Sequence, residues 1–260
     1  MKFAIAALAV PVLGGIAGLA ALGAPTSYLI TNLAALVLAG VWVALGRAPA
    51  SLKAQRILTV ALLALLFAPL LTGPEQQGIA RWLPLGPFTL HAGMLAFPSL
   101  AVLAARDPDY AAPILLTALL AAFLQPDAAT GFAVVFAAVG LHDVSKDWKF
   151  GLVAIVGFVA AILMALRGLL PAVPFVERVL IYAARDSFSV ALGMALALAI
   201  GFTLLIFRAP LPRAERYALA GALFGFIVMA LISHYPTPLV GYGAAPILGF
   251  GLALGLRRAP

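Results

Sequence analysis

Few side chains of this sequence can take part in chemistry, because only 9 acidic and 16 basic residues interrupt its 260 positions. Asp127 and Asp186 are the acidic candidates, since each precedes an apolar run, and the carboxylate of Asp186 could act as a general base. An ionisable group at the edge of so apolar a segment is costly to bury and is often functional. Both residues have a structural alternative, because an aspartate before a helical run is an ordinary N-cap that complements the helix dipole.

Three arginines are candidates for holding an anion. Arg81 is followed by Trp82, and Arg178 and Arg185 lie in a later polar stretch. A guanidinium binds phosphate oxygens through two parallel hydrogen bonds. The alternative for the Arg81-Trp82 pair is an interfacial anchor, because tryptophan is enriched at the level of the lipid headgroups. The sequence leaves both roles open.

Histidine and cysteine give no sign of a metal site. The three histidines lie far apart in the sequence, and the lack of cysteine excludes disulfides and thiolate ligands. We expect His91 and His234 to be boundary histidines bonded to backbone or water. His142 belongs to a charged cluster at residues 142–147 that is typical of a solvated loop.

The elements that position these residues are membrane-spanning helices. Of all residues, 65% are hydrophobic and 10% are charged, whereas a soluble domain carries about 25% charged residues. The charges fall in short clusters between apolar runs, as spanning helices require. Residues 151–166 and 191–207 contain no charge, which excludes the polar–apolar alternation of a β-barrel. The sequence therefore predicts an all-α, polytopic integral membrane protein.

Ten apolar segments predict one transmembrane domain, residues 1–260, with about ten spans. The segments are residues 3–22, 28–46, 57–72, 89–105, 111–125, 128–141, 150–167, 187–207, 217–233 and 240–256. If the N-terminus is cytoplasmic, the inner loops hold 12 of the 16 Lys and Arg residues and the outer loops hold 4, which is the positive-inside pattern. We therefore predict cytoplasmic termini, and we attribute the net charge of +7 to this bias rather than to nucleic-acid binding. The first segment is interpreted as an uncleaved span, with a cleaved signal peptide as the alternative.

Two predicted outer loops are long enough to hold a site. They cover residues 73–88 and 168–186, and between them they contain all the candidate arginines and Asp186. Residues 176–184 are predicted to form a short helix in the membrane interface, because Tyr182 and the flanking charges suit that depth.

Four segments carry a family pattern. Residues 78–88 read Gly-Ile-Ala-Arg-Trp-Leu-Pro-Leu-Gly-Pro-Phe, and residues 125–130 read Gln-Pro-Asp-Ala-Ala-Thr. Residues 174–189 form the outer loop after the seventh segment, and residues 238–245 read Pro-Leu-Val-Gly-Tyr-Gly-Ala-Ala. In this order the segments resemble the SEDS family (shape, elongation, division and sporulation), the cell-wall glycosyltransferases of the FtsW and RodA type. The family shows an Arg-Trp pair with Leu-Gly-Pro, then Gln-Pro-Asp-Leu-Gly-Thr, a large catalytic loop, and Pro-Phe-Ile-Ser-Tyr-Gly-Gly-Ser.

The resemblance implies a reaction, a place and a partner. Family enzymes polymerise lipid II, a disaccharide-pentapeptide carried on undecaprenyl pyrophosphate, at the outer face of the bacterial inner membrane. Asp186 would be the catalytic carboxylate, and the substrate would be bound by Arg81, Trp82, Asp127, Arg178 and Arg185. The departing pyrophosphate needs positive groups or a divalent cation. The expected partners are membrane lipids and another membrane protein, a single-span transpeptidase.

Other parts of the family pattern are missing. Where the family shows Gln-Pro-Ser-Glu and then a lysine, residues 90–93 read Leu-His-Ala-Gly, and residues 96–97 read Ala-Phe. Its His-Thr-Asp-Phe pattern fits residues 185–188, Arg-Asp-Ser-Phe, only with the aspartate shifted by one. Because catalysis needs several groups acting together, two alternatives stay open. One is a catalytically inactive scaffold or accessory subunit of a membrane complex, and the other is a flippase or transporter for a lipid-linked substrate.

Overall fold

Twelve α-helices and one β-hairpin make up the computed structural model of the protein, which describes residues 1–86 and 88–257. Two residues of the sequence patterns, Pro87 and Arg258, lie outside the described residues. The helices are α1 (Lys2–Ala21), α2 (Thr26–Leu45), α3 (Leu52–Phe67), α4 (Pro69–Thr72), α5 (Ala92–Arg106), α6 (Pro108–Leu124), α7 (Ala128–Ser145), α8 (Trp148–Arg167), α9 (Val179–Asp186), α10 (Phe188–Arg208), α11 (Arg213–Ile232) and α12 (Ala244–Gly255). The strands are β1 (Trp82–Leu85) and β2 (Phe88–His91).

The described helices include seven stretches that are long and apolar enough to cross a membrane, with α3 and α4 counted as one stretch. Three shorter apolar helices, α5, α6 and α12, complete a set of ten that follows the ten predicted segments in order. The prediction of an all-α polytopic membrane fold is confirmed. The number of crossings and the cytoplasmic side of the termini stay predictions.

Small residues allow α7 and α11 to lie in close contact. A side chain at Gly221 would collide with the backbone of Phe136, and one at Gly225 would collide with the backbone of Phe132. Membrane helices associate through such close contacts, because lipid removes the hydrophobic driving force between them. Almost every residue of α5 is buried, and α5 contacts α3, α6, α7, α11 and α12. Helices α3, α6 and α12 therefore pack directly on α5, while α1 packs mainly on α10 and α2 mainly on α12.

Ion pairs hold the helices together at the predicted cytoplasmic end. Arg106 of α5 lies 2.8 Å from Glu215 of α11, with both side chains buried, and it also donates a hydrogen bond to the carbonyl of Leu256. Arg56 of α3 pairs with Asp107 at 2.6 Å. Because breaking a buried pair costs about 3–5 kcal/mol, the Arg106 contacts fix α5 relative to α11 and to the end of α12.

The predicted outer loops contain more regular structure than the sequence indicates. Strands β1 and β2 form an antiparallel hairpin from residues of the predicted outer loop and the first residues of the predicted span at 89–105, with Trp82 opposite His91. The short helix predicted at residues 176–184 is present as α9, which begins and ends slightly later. The hairpin, α9, the starts of α5 and α7, and the loop after α11 surround the candidate site.

Candidate functional site

The hairpin brings the Arg-Trp pair against the start of α5. Its register places Trp82 opposite His91, and the Ala92 N–H donates a hydrogen bond of 3.0 Å to the carbonyl of Arg81. Gly86 in the turn has a φ of 59°, which glycine adopts without steric cost. The hairpin therefore brings Arg81 and Trp82 close to His91 at the start of α5.

Arg81 is fully buried, with a relative exposure of 0%. Its guanidinium carbon lies 4.5 Å from the ring centroid of Tyr235 and 4.9 Å from that of Trp82. Within the described part of the chain, none of its three side-chain nitrogens has a hydrogen-bond partner. A side chain that anchors a protein in the headgroup layer is exposed to that layer, whereas the side chain of Arg81 is buried within the protein. A guanidinium with aromatic support but without acceptors is suited to binding an anion.

Asp127 caps α7 and faces His91. Its carboxylate accepts hydrogen bonds from the N–H of Thr130, at 3.2 Å, and from the Thr130 hydroxyl, so the predicted N-cap is confirmed. Nε2 of His91 lies 3.6 Å from Oδ1 of Asp127. Burial raises the pKa of Asp127, but its interactions with His91, Arg81 and Thr130 outweigh burial and lower the pKa to about 2. The carboxylate is therefore ionised.

The two outer histidines behave differently. Nδ1 of His234 lies 2.9 Å from the carbonyl of Leu170, as expected for a boundary histidine bonded to backbone. His91 also bonds to backbone, since its Nδ1 accepts a hydrogen bond of 3.2 Å from the N–H of Met94. However, His91 is buried against Asp127 and is part of the charged cluster.

Tyr235 and Glu177 complete the cluster, and sequence reasoning misses both as site residues. The Tyr235 hydroxyl accepts a hydrogen bond of 3.0 Å from the first N–H of α7, and burial raises its pKa to about 12. Glu177 is 5% exposed, its Oε2 accepts a hydrogen bond of 3.0 Å from the N–H of Val173, and burial raises its pKa. The sequence signal for each is weak, because they merely adjoin His234 and Arg178.

The other predicted site residues lie along α9. Arg178 precedes α9, and its N–H donates to the carbonyl of Tyr235 at 3.3 Å, beside the cluster. Arg185 and Asp186 are exposed at the far end of the helix, roughly 12 Å away at 1.5 Å per residue. Asp186 is the last residue of α9, and Ser187 holds the N-cap position of α10, so the N-cap interpretation of Asp186 is wrong. The structure thus brings together Arg81, Trp82 and Asp127, with Arg178 nearby, and keeps Arg185 and Asp186 apart from them.

A cavity of about 270 Å³ borders the cluster, and its lining includes Trp82, His91 and Glu177. We call it the outer cleft. Its volume is close to the lower end of the range of about 300–1,000 Å³ for small-molecule sites. The cleft combines aromatic surface with a buried carboxylate and an imidazole, which is a lining suited to a polar ligand.

A second cavity, of about 390 Å³, lies beside α9 and is mostly apolar apart from Asp186. Tyr28 lines the outer cleft and Phe175 lines the second cavity, and their rings meet edge to face with centroids 6.5 Å apart. Asp186 lines the second cavity and is not among the described residues that line the outer cleft.

Among the residues that the structure describes, no three histidine, aspartate or glutamate side chains come together as a group that could hold a metal ion. These residues therefore do not fit a protein-held site for a divalent cation. The positive charge of the cluster comes from Arg81, with Arg178 nearby.

Solved structures of a rod shape determining protein and of a peptidoglycan synthase complex have a similar fold. The chain is 21% identical to the rod shape determining protein RodA of Thermus thermophilus, with a TM-score of 0.72 over 96% of this chain and 92% of that chain. A mutant of the same RodA gives 20% identity and a TM-score of 0.66, over 98% and 93% of the two chains. A chain of a peptidoglycan synthase complex that coordinates polymerization and crosslinking is 21% identical to this chain. Its TM-score is 0.67, over 97% of this chain and 96% of that chain.

No family model and no curated protein matches the sequence. The chain nevertheless has the RodA fold along nearly its whole length. The resemblance to the SEDS family is therefore confirmed at the level of the fold.

Proposed function

We propose that the protein acts at the outer face of the bacterial inner membrane as a SEDS-type glycosyltransferase with lipid II as its substrate. The observation that carries the proposal is the buried Arg81 guanidinium, which has no acceptor in the described protein and lies beside the outer cleft of a RodA-like fold. A lipid-linked pyrophosphate would supply the acceptors that Arg81 lacks. The family pattern of the sequence supports the same substrate.

In the proposed reaction, an acceptor hydroxyl attacks the anomeric carbon of the donor sugar. The new carbon–oxygen bond forms as the bond to the pyrophosphate oxygen breaks, and Asp186 accepts the proton of the hydroxyl. Arg81 and Trp82 hold the departing pyrophosphate, whose negative charge Arg178 helps to neutralise.

The proposal assigns different parts of the substrate to the two ends of α9. Asp127 lies at the end near Arg81, where its carboxylate faces His91. Asp186 lies at the other end, where the acceptor would bind. Because the anomeric carbon is bonded directly to the pyrophosphate, the proposed reaction requires Asp186 and the site at Arg81 to approach one another around the substrate.

The test is polymerisation of labelled lipid II by the purified protein with its cognate partner. We expect polymer from the wild type and none from Asp186→Asn, because an amide cannot accept the proton. Glu75→Gln removes an exposed carboxylate from the other outer loop and is the matched control, with unchanged activity expected. Full activity of Asp186→Asn would remove Asp186 from the mechanism.

We further propose a single-span transpeptidase as the partner. An apolar groove of about 540 Å³ runs between α10 and α11, with Leu192, Phe224 and Leu231 exposed along it, and one apolar helix would fit there. The similarity to a chain of a peptidoglycan synthase complex supports such an assembly. Purification from native membranes should return a second membrane protein, and recovery of this chain alone would count against the proposal.

A non-catalytic accessory role is the second candidate function, and the position of Asp186 favours it. Asp186 faces an apolar cavity rather than the outer cleft, so the candidate base and the candidate pyrophosphate site do not share one space. The same assay separates the two functions. Lack of polymer from the wild type, with the partner present and bound, would support the accessory role.

A further inference from the structure

The outer cleft contains side chains that the proposed pyrophosphate site leaves unused. Tyr28 and Tyr242 lie in its lining, and their rings are stacked with centroids 3.6 Å apart and an interplanar angle of 8°. Trp82 adds a third ring to the same lining. Each of the three side chains is half-buried, so each presents part of its surface to the cleft.

The polar groups of the cleft are Glu177 and His91, with Gln76 and Thr89 at its edge. Glu177 is more than nine-tenths buried, and only its Oε2 has a hydrogen-bond partner in the described protein, the N–H of Val173. Oε1 of Glu177 is therefore available as an acceptor in the cleft. Nε2 of His91 likewise has no hydrogen-bond partner within the described residues.

This combination matches the chemistry of a sugar ring. The C–H faces of a pyranose pack against aromatic rings, while its hydroxyls donate hydrogen bonds to carboxylates. A buried carboxylate with a free oxygen discriminates strongly between ligands. A ligand without the matching hydroxyl leaves that oxygen unpaired and therefore binds more weakly. The cleft volume of about 270 Å³ suits one ring rather than a disaccharide with its peptide.

We infer that the outer cleft is a binding subsite for one sugar ring of the lipid-linked substrate, with Glu177 accepting a hydrogen bond from the sugar and Tyr28, Tyr242 and Trp82 packing against it. The subsite rests on the proposed function, since Arg81 would hold the pyrophosphate to which the sugar is attached. It adds recognition of the sugar to recognition of the pyrophosphate.

The experiment compares two lipids in nanodiscs, lipid II and undecaprenyl pyrophosphate, which lacks the sugars. We expect the wild type to bind lipid II roughly tenfold more tightly than undecaprenyl pyrophosphate. Glu177→Gln should abolish this preference and leave binding of undecaprenyl pyrophosphate unchanged, because the amide oxygen still accepts from Val173 but the negative charge is lost. Glu75→Gln is the control for a carboxylate outside the cleft, and thermal unfolding checks that each variant folds.

A second pair of variants tests the aromatic part of the subsite. Tyr28→Leu removes the ring and should reduce the preference for lipid II, whereas Tyr28→Phe keeps the ring and should retain the preference. Equal binding of both lipids by the wild type would overturn the subsite and leave the pyrophosphate site standing. An equal loss of both lipids in Glu177→Gln would overturn the contact with the sugar. If the wild type binds neither lipid, the proposed function and the subsite both fail.

Discussion

Asp127 combines a structural and an electrostatic role in one carboxylate. It caps α7 through Thr130, and it lies close to His91 and to the positive charge of Arg81. Burial opposes ionisation, but the interactions with His91, Arg81 and Thr130 outweigh burial and lower the pKa from the ordinary value of 3.8 to about 2. The folded state therefore favours the ionised carboxylate.

We expect Asp127→Asn to lower the free energy of unfolding at neutral pH by about 2 kcal/mol, because asparagine can cap the helix but carries no charge. A carboxyl whose pKa falls on folding stabilises the protein above its unfolded pKa of 3.8, and this contribution is lost as the pH falls through about 2. The wild type should thus lose more stability than the variant between about pH 5 and about pH 2. Thermal unfolding across this range measures the effect, with Asp109→Asn at the exposed start of α6 as the control. If the wild type and Asp127→Asn lose equal stability in acid, the lowered pKa of Asp127 is contradicted.

Single residues of the site could be predicted only where a sequence motif contains them. Arg81, Trp82 and Asp127 belong to motifs, and the structure brings them together. Tyr235 could not be predicted, because its hydroxyl bonds to the start of α7 across a separation of 107 residues. That contact depends on how the loop after α11 meets α7, and local periodicity carries no such information.

At the scale of elements, α9 and the hairpin show which local sequence patterns are sufficient to predict a helix or a strand. A short apolar stretch between charges predicts α9 to within a few residues. The hairpin could not be predicted, because Pro84 lies within β1, β1 does not alternate polar and apolar residues, and β2 alternates over four residues only. Its other local signal is the turn glycine Gly86. Since the hairpin sets the position of Trp82 opposite His91, missing it also hides the geometry of the site.

The contact between α7 and α11 gives a prediction for packing. Gly221→Ala should destabilise the protein by about 1–3 kcal/mol, because the added Cβ meets the carbonyl of Phe136 and forces the helices apart. Gly193→Ala in α10 is the matched control, since nothing lies within 4 Å of its added Cβ. Alanine also favours a helix over glycine by about 1 kcal/mol. Thermal unfolding in one detergent compares the two variants, and equal stability would argue against the close contact.

The two ends of the whole molecule hold charge in different ways. At one end Arg106 has both Glu215 and a backbone carbonyl as partners, and Arg56 has Asp107. At the other end Arg81 has no acceptor among the described residues. The sequence predicts that charges gather at helix ends, but it could not predict which charges pair, because Arg106 and Glu215 are 109 residues apart. The end with Arg81, none of whose side-chain nitrogens has a partner among the described residues, is therefore the one that we propose for an anionic ligand.

Orientation in the membrane decides whether that end meets a substrate displayed outside the cell. The chain has no cysteine, so a thiol reagent labels a variant with one introduced cysteine at that position alone. We expect Glu75→Cys to react with a membrane-impermeant maleimide in intact spheroplasts and Lys149→Cys to react only after lysis, because the positive-inside pattern assigns them to opposite sides. Both native side chains are exposed, so full labelling of both variants after lysis is the control for reactivity. The reverse pattern would place the outer cleft in the cytoplasm, where Arg81 and Glu177 would face precursors before their export rather than the growing wall.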